Sequence, residues 1–99
     1  MGTPESAAEI VIEGRVQGVG YRDYARRRAS RLGLGGWVAN LRDGRVRLRA
    51  EGPRGQIEAL VRELQQGPPL SRVAKVDVQW IAPAGTYAGF DVRSTEPEA

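Results

Sequence analysis

Nine consecutive residues near the start of the chain, Gly14-Arg15-Val16-Gln17-Gly18-Val19-Gly20-Tyr21-Arg22, have the make-up of an anion-binding loop. They join a strand-like run to a helix-like one. The first backbone N–H groups of a helix lack partners within it, and the helix dipole is positive at that end. Gly18 and Gly20 open backbone conformations closed to other residues, so successive N–H groups can converge on one anion. Arg22 then falls in the first helical turn, where the dipole opposes a cation by about 0.3–1 kcal/mol. A phosphate bound there would reverse that sign, although the neighbouring Asp23 could relieve part of the conflict without any ligand. Two readings stand on these residues alone: a phosphate cradle, or a glycine-rich connector with a surface arginine. The segment is not a Walker loop, because no Lys-Ser or Lys-Thr follows. It is not a dinucleotide fingerprint either, because its glycines miss the G-x-G-x-x-G spacing and no parallel α/β pattern surrounds them.

A second candidate is Asn40, near the end of the strand-like run Trp37–Leu41. Asparagine is disfavoured in strands. It could serve the turn at Asp43-Gly44, or it could present an amide that both donates to and accepts from a water. Arg45, Arg47 and Arg49 form a basic stripe. Such a stripe could touch nucleic acid phosphates, but more simply it is a solvated face that discourages edge pairing, and no aromatic pair for base stacking accompanies it. Trp37 and Trp80 each continue an apolar alternation and are expected in the core. Asp23, Asp43 and Glu51 show no spacing that identifies a paired-carboxylate site.

Composition narrows the chemistry. The 99 residues contain no cysteine and no histidine, which excludes Cys/His zinc sites, thiolate nucleophiles and Ser–His–Asp triads. The net charge of +3 is uneven: residues 1–50 hold ten Arg against five acids, and residues 51–99 hold five Lys+Arg against seven. The first half therefore carries a positive field suited to an anionic ligand. Of the 15 basic residues only Lys75 is lysine; arginine favours bidentate contact with phosphate or carboxylate, though a GC-rich genome gives the same excess. No apolar run approaches the roughly 20 residues that span a bilayer. Met1 to Glu9 is small and polar, unlike a secretory signal, so the cytoplasm is the expected location.

These residues must be positioned by elements that the patterning also predicts. Glu9–Val16 reads as a strand, with Ile10 and Ile12 alternating against Val11 and Glu13. From Tyr21 to about Leu34 the period is helical, Tyr21, Tyr24, Ala25, Ala29 and Leu32 sharing a face, with Gly33, Gly35 and Gly36 as the stop. Trp37–Leu41 and Arg45–Glu51 are predicted strands joined by a tight Asp43-Gly44 turn. Arg54–Gln66 is a predicted helix, with Ile57, Leu60, Val61 and Leu64 in one stripe and Gly67-Pro68-Pro69 ending it. Val73–Ile81 is a fourth strand and Gly89–Arg93 a short fifth. The order βαββαβ, with that possible extra strand, points to an α+β, ferredoxin-like split βαβ sandwich: an antiparallel sheet with two helices on one face. One domain over residues 9–93 is expected, between tails at Met1–Ala8 and Ser94–Ala99.

The two motifs together resemble the acylphosphatase family. Gly14 to Arg22 matches its first signature, G-x-V-Q-G-V-x-[FY]-R, at every defined position. Gly36-Trp37-Val38-Ala39-Asn40, with Gly44-Arg45-Val46 and then Gly52, resembles the second. Mild departures are Tyr21 in place of the commoner phenylalanine and the small Gly20. The resemblance implies hydrolysis of acyl phosphates to a carboxylate and inorganic phosphate, without metal or cofactor. It implies that Arg22 and Asn40 are catalytic. Arg22 would bind the phosphate oxygens, the backbone N–H groups of Gln17, Gly18, Val19, Gly20, Tyr21 and Arg22 would cradle the same phosphate, and Asn40 would hold the attacking water. No residue in either motif is an evident general base, so the substrate's own phosphate is expected to take the water's proton. The expected partners are a small-molecule acyl phosphate and phosphate itself. Neither nucleic acid nor membrane is expected, and the expected state is a monomer.

Overall fold

Alternating apolar residues in the first and third strands, and two amphipathic helices between strands, leave one economical arrangement, a sheet with both helices on one side. The computed structural model, which describes residues 5–85 and 87–96, has that form. Its elements are β1 (Glu5–Arg15), α1 (Tyr21–Arg31), β2 (Gly35–Leu41), β3 (Val46–Pro53), α2 (Arg54–Gln66), β4 (Arg72–Ile81) and β5 (Phe90–Glu96). The strands lie in the order β4-β1-β3-β2-β5. Ile10, Ile12, Val38, Val46 and Leu48 from the sheet meet Ala25, Ala29, Ile57, Leu60 and Leu64 from the helices in one buried core.

The sheet is mixed rather than purely antiparallel. β1 pairs antiparallel with β3 and β4, and β2 with β3, but β5 runs parallel to β2. The connection from β4 must cross the sheet from one edge to the other. It reverses direction on the way, so β5 enters alongside β2 rather than against it. Glu51 fixes this crossing: its buried carboxylate accepts the backbone N–H groups of Ala84 and Gly85, each at 2.9 Å. Arg49 adds an ion pair to Glu51 at 3.0 Å and a bond to the Ala82 carbonyl at 3.3 Å. Burial would raise the Glu51 carboxyl, but the two amides and the Arg49 guanidinium outweigh it and hold the group below the usual carboxylate range.

Both chain ends carry longer strands than the patterning suggests. β1 starts at Glu5, because Ala7 and Ala8 pair with β3 and are buried; alanine carries little strand signal. β5 continues through Ser94–Glu96, where Glu96 lies opposite Leu41 and its carbonyl accepts the Arg42 N–H at 3.1 Å. The remaining parts of the expected tails, residues 1–4 and 97–99, lie outside the described residues. The first helix ends at Arg31 rather than Leu34.

The tryptophans separate. Trp37 is buried, but on the sheet face opposite the helices, under the guanidinium groups of Arg93 and Arg47 at 4.6 and 5.5 Å. Trp80 is 37% exposed, against the core expectation, because β4 is an edge strand. Arg54 covers its ring at 4.1 Å.

Candidate active site

The loop between β1 and α1 takes its shape from two glycines. Gly18 has φ 72° and Gly20 φ 80°, the left-handed region that side chains disfavour. Added Cβ atoms would meet nothing within 4 Å at either position, so the glycines serve backbone curvature rather than tight packing. The flanks are anchored: Val16 is buried before the loop, and Tyr21 after it. The Tyr21 hydroxyl donates to the Leu64 carbonyl at 2.7 Å, and Tyr24 donates to the Glu63 carbonyl at 2.8 Å. The start of α1 is thereby clamped to the end of α2. Burial, with the neighbouring Tyr24, pushes the Tyr21 phenol well above its ordinary range and keeps it protonated.

Gly20 caps α1 without any side-chain bond to the helix N–H groups. The helical ladder begins with the Tyr24 N–H, which donates to the Gly20 carbonyl at 3.1 Å. The preceding amides at the helix start therefore have no acceptor within the helix. Beside them opens a cavity of about 310 Å³, lined by Val16, Gly18, Gly20, Tyr21, Arg22 and Asp23 from this segment, Asn40 from β2 and Val92 from β5.

Arg22 and Asn40 reach the cavity from different elements. The Arg22 guanidinium crosses to β5 and donates to the Arg93 carbonyl at 2.8 Å, which restrains it without neutralising it. Among the described residues it has no carboxylate partner. Asn40 is half-buried on β2, opposite Val46. The β2–β5 register breaks between Ala39 and Leu41, beside Asn40: two residues of β5 fit between the partners of those two positions. Such bulges re-aim side chains and recur near functional sites. Among the described residues no group hydrogen-bonds the Asn40 amide.

Asp23 is unsuited to act as a base. It accepts from Arg26 at 2.9 Å and pairs with Arg27 at 3.1 Å, and the hydrogen bond from Arg26 leads in holding its carboxyl below the usual range. Among the described residues, no group of three or more Asp or Glu is placed to hold a metal ion, and no helix is long and apolar enough to cross a membrane. The basic stripe is paired off: Arg45 with Asp43 at 2.7 Å, Arg47 with Glu9 at 2.7 Å, and Arg49 with Glu51. Its guanidinium groups are committed to carboxylates, which speaks against a nucleic acid surface.

Of the residues singled out in the sequence, Gly18, Gly20, Tyr21, Arg22 and Asn40 line one cavity. The Gln17 and Val19 side chains do not. Val19 packs against the core, and the Gln17 amide turns to the β2–β3 hairpin. Sequence reasoning missed Val92 and the Arg93 carbonyl. No local signal marks them, since β5 reaches the cavity only through its parallel pairing with β2.

Residues 8–92 match the family model described as acylphosphatase. An acylphosphatase of Anaeromyxobacter dehalogenans is 50% identical over 86 residues, covering 87% of this chain and 92% of that protein. One of Salinibacter ruber is 52% identical over 89 residues, covering 90% and 94%. The solved structure of an acylphosphatase from Coxiella burnetii superposes with a TM-score of 0.85 at 39% identity, over 90% of this chain and 93% of that one.

Proposed function

The chain belongs to the acylphosphatase family, and we propose a division of labour for its hydrolysis of acyl phosphates: the loop amides and Arg22 hold the phosphate, and Asn40 holds the water. One observation carries this reading: the start of α1, with Arg22 in its first turn, and Asn40 from β2 line a single cavity.

The chemistry asks little of the protein. The carboxylate of an acyl phosphate is already a good leaving group, so no covalent intermediate is needed. Catalysis reduces to placing water in line and stabilising charge on the phosphoryl oxygens. The amides of Gln17 to Arg22 and a charge-assisted guanidinium supply fixed donors for that charge. Arg22 leaves the neutral carbonyl of Arg93, or shares it, when a phosphate enters. The one carboxylate at the cavity among the described residues, Asp23, is held by Arg26 and Arg27. The proton of the attacking water therefore passes to the bound phosphate itself. The working protein on this reading is a cytoplasmic monomer that uses neither metal nor cofactor.

The test is hydrolysis of benzoyl phosphate in EDTA by the wild type and one variant, Arg22→Gln. Turnover is expected to survive the chelator. Arg22→Gln is expected to weaken competitive inhibition by inorganic phosphate. Loss of activity in EDTA, or an Arg22→Gln variant that binds phosphate like the wild type, would overturn the assignment.

A further inference from the structure

The phosphate cradle and the water-holding amide sit on separate elements, so catalysis depends on how those elements are joined. The loop follows β1, whereas Asn40 lies on β2. The Gln17 side chain spans the gap. Its Nε2 donates to the Leu41 carbonyl at 2.7 Å and to the Arg45 carbonyl at 2.9 Å. Those two carbonyls close the β2–β3 hairpin immediately after Asn40. The Leu41 N–H donates to the Arg45 carbonyl at 2.8 Å, and the Gly44 N–H to the Leu41 carbonyl at 3.2 Å. The Asp43 carboxylate stiffens the same turn by accepting from the Arg45 N–H at 3.0 Å and from its Nε at 2.7 Å.

We propose that Gln17 is a positioning residue for the hydrolysis: its side-chain amide bolts the phosphate loop to the hairpin and so sets Asn40 at the distance from the bound phosphate that water attack requires. This rests on the hydrolase reading of the cavity. The residue type fits the task closely. A primary amide offers two N–H donors from one nitrogen, and both are used here on carbonyls. Glutamate has the same length but no donor, methionine has neither donor nor acceptor of comparable strength, and asparagine is one methylene shorter. The Gln17 side chain does not line the cavity. Phosphate binding comes from the loop backbone and Arg22, so losing the bolt harms the attack geometry before it harms affinity. Misplacement by about 1 Å can cost on the order of 100-fold in rate.

A double-mutant cycle on the full chain tests this, with benzoyl phosphate turnover and inhibition by inorganic phosphate as readouts. Gln17→Met is expected to lower kcat by about 10- to 100-fold, with the phosphate inhibition constant within about threefold of wild type. In an Asn40→Ala background the same change is expected to cost less than about threefold more, because residues acting as a unit are not additive. Gln17→Glu, which keeps the length and removes the donors, should reproduce the pattern and serves if the methionine variant does not fold. The proposal is overturned if kcat is unchanged, if phosphate affinity falls in step with kcat, or if the Gln17 and Asn40 losses multiply. A wild type without acyl phosphate turnover would instead remove the hydrolase reading itself.

Discussion

Arginines occupy both the cavity at the start of α1 and the sheet face opposite the helices, yet the two regions are chemically different. On the sheet face, Arg45, Arg47 and Arg49 each meet a carboxylate at 3.0 Å or less, and Arg47 also covers Trp37. At the cavity, Arg22 meets only a backbone carbonyl among the described residues, beside helix amides that the N-cap side chain does not cap. On the proposed reading the richer arginine patch is the poorer anion site. Donors that are fixed in place but not neutralised make the difference, and their number is secondary.

That contrast can be broken or sharpened by substitution. The largest effect is expected at Arg22. Arg22→Gln should lower kcat/KM by about 100- to 1,000-fold, the scale of losing a preorganised charge-stabilising donor. Steady-state kinetics with benzoyl phosphate, alongside phosphate inhibition, would measure it. An effect below about tenfold would mean that the amide loop suffices alone.

Glu51→Gln should behave in the opposite manner. It removes a buried carboxylate that holds the β4–β5 crossing through two amides and Arg49. Thermal unfolding should show a loss of about 1–3 kcal/mol, with kcat/KM nearly intact. Because the folded-state carboxyl titrates below its unfolded value, its stabilisation is fully present above the unfolded range, near pH 4.3. It is lost as pH falls through the lower folded value. The wild type should therefore lose melting temperature in acid more steeply than Glu51→Gln does. Parallel acid profiles would contradict this.

The smallest effect is expected on the stripe. Arg47→Gln breaks a partly exposed pair with Glu9, which should cost about 1 kcal/mol or less. It should leave phosphate inhibition unchanged. A salt-sensitive loss of phosphate or nucleic acid binding in this variant would make the stripe, not the cavity, the anion site.

Much of this architecture was legible in the sequence, because the cues were local. The alternation of Val46, Leu48 and Ala50 against Arg47 and Arg49, and the stripe of Ile57, Leu60 and Leu64, each mark an element by its own residues. The same holds for the loop, where Gly18, Gly20 and Arg22 sit together in the chain. Long-range pairing was not legible. Nothing near Phe90–Glu96 says that it lies parallel to β2, so the mixed sheet, the wall at Val92 and the Arg93 carbonyl stayed hidden. Trp80 read as core because alternation reports which face a residue takes, but not whether its strand is at an edge. Gln17 was visible as part of the loop. That its side chain turns away from the cavity to the hairpin carbonyls depends on contacts 24 and 28 residues distant.

The central claim is that binding and water placement reside on different elements and can be separated. Asn40→Ala tests it most directly, through turnover of benzoyl phosphate and competitive inhibition by inorganic phosphate measured on the same preparation in EDTA. The expected result is a fall in kcat of at least about 100-fold, with the phosphate inhibition constant within about threefold of wild type. Full turnover, or a loss of phosphate affinity matching the loss of rate, would contradict the account.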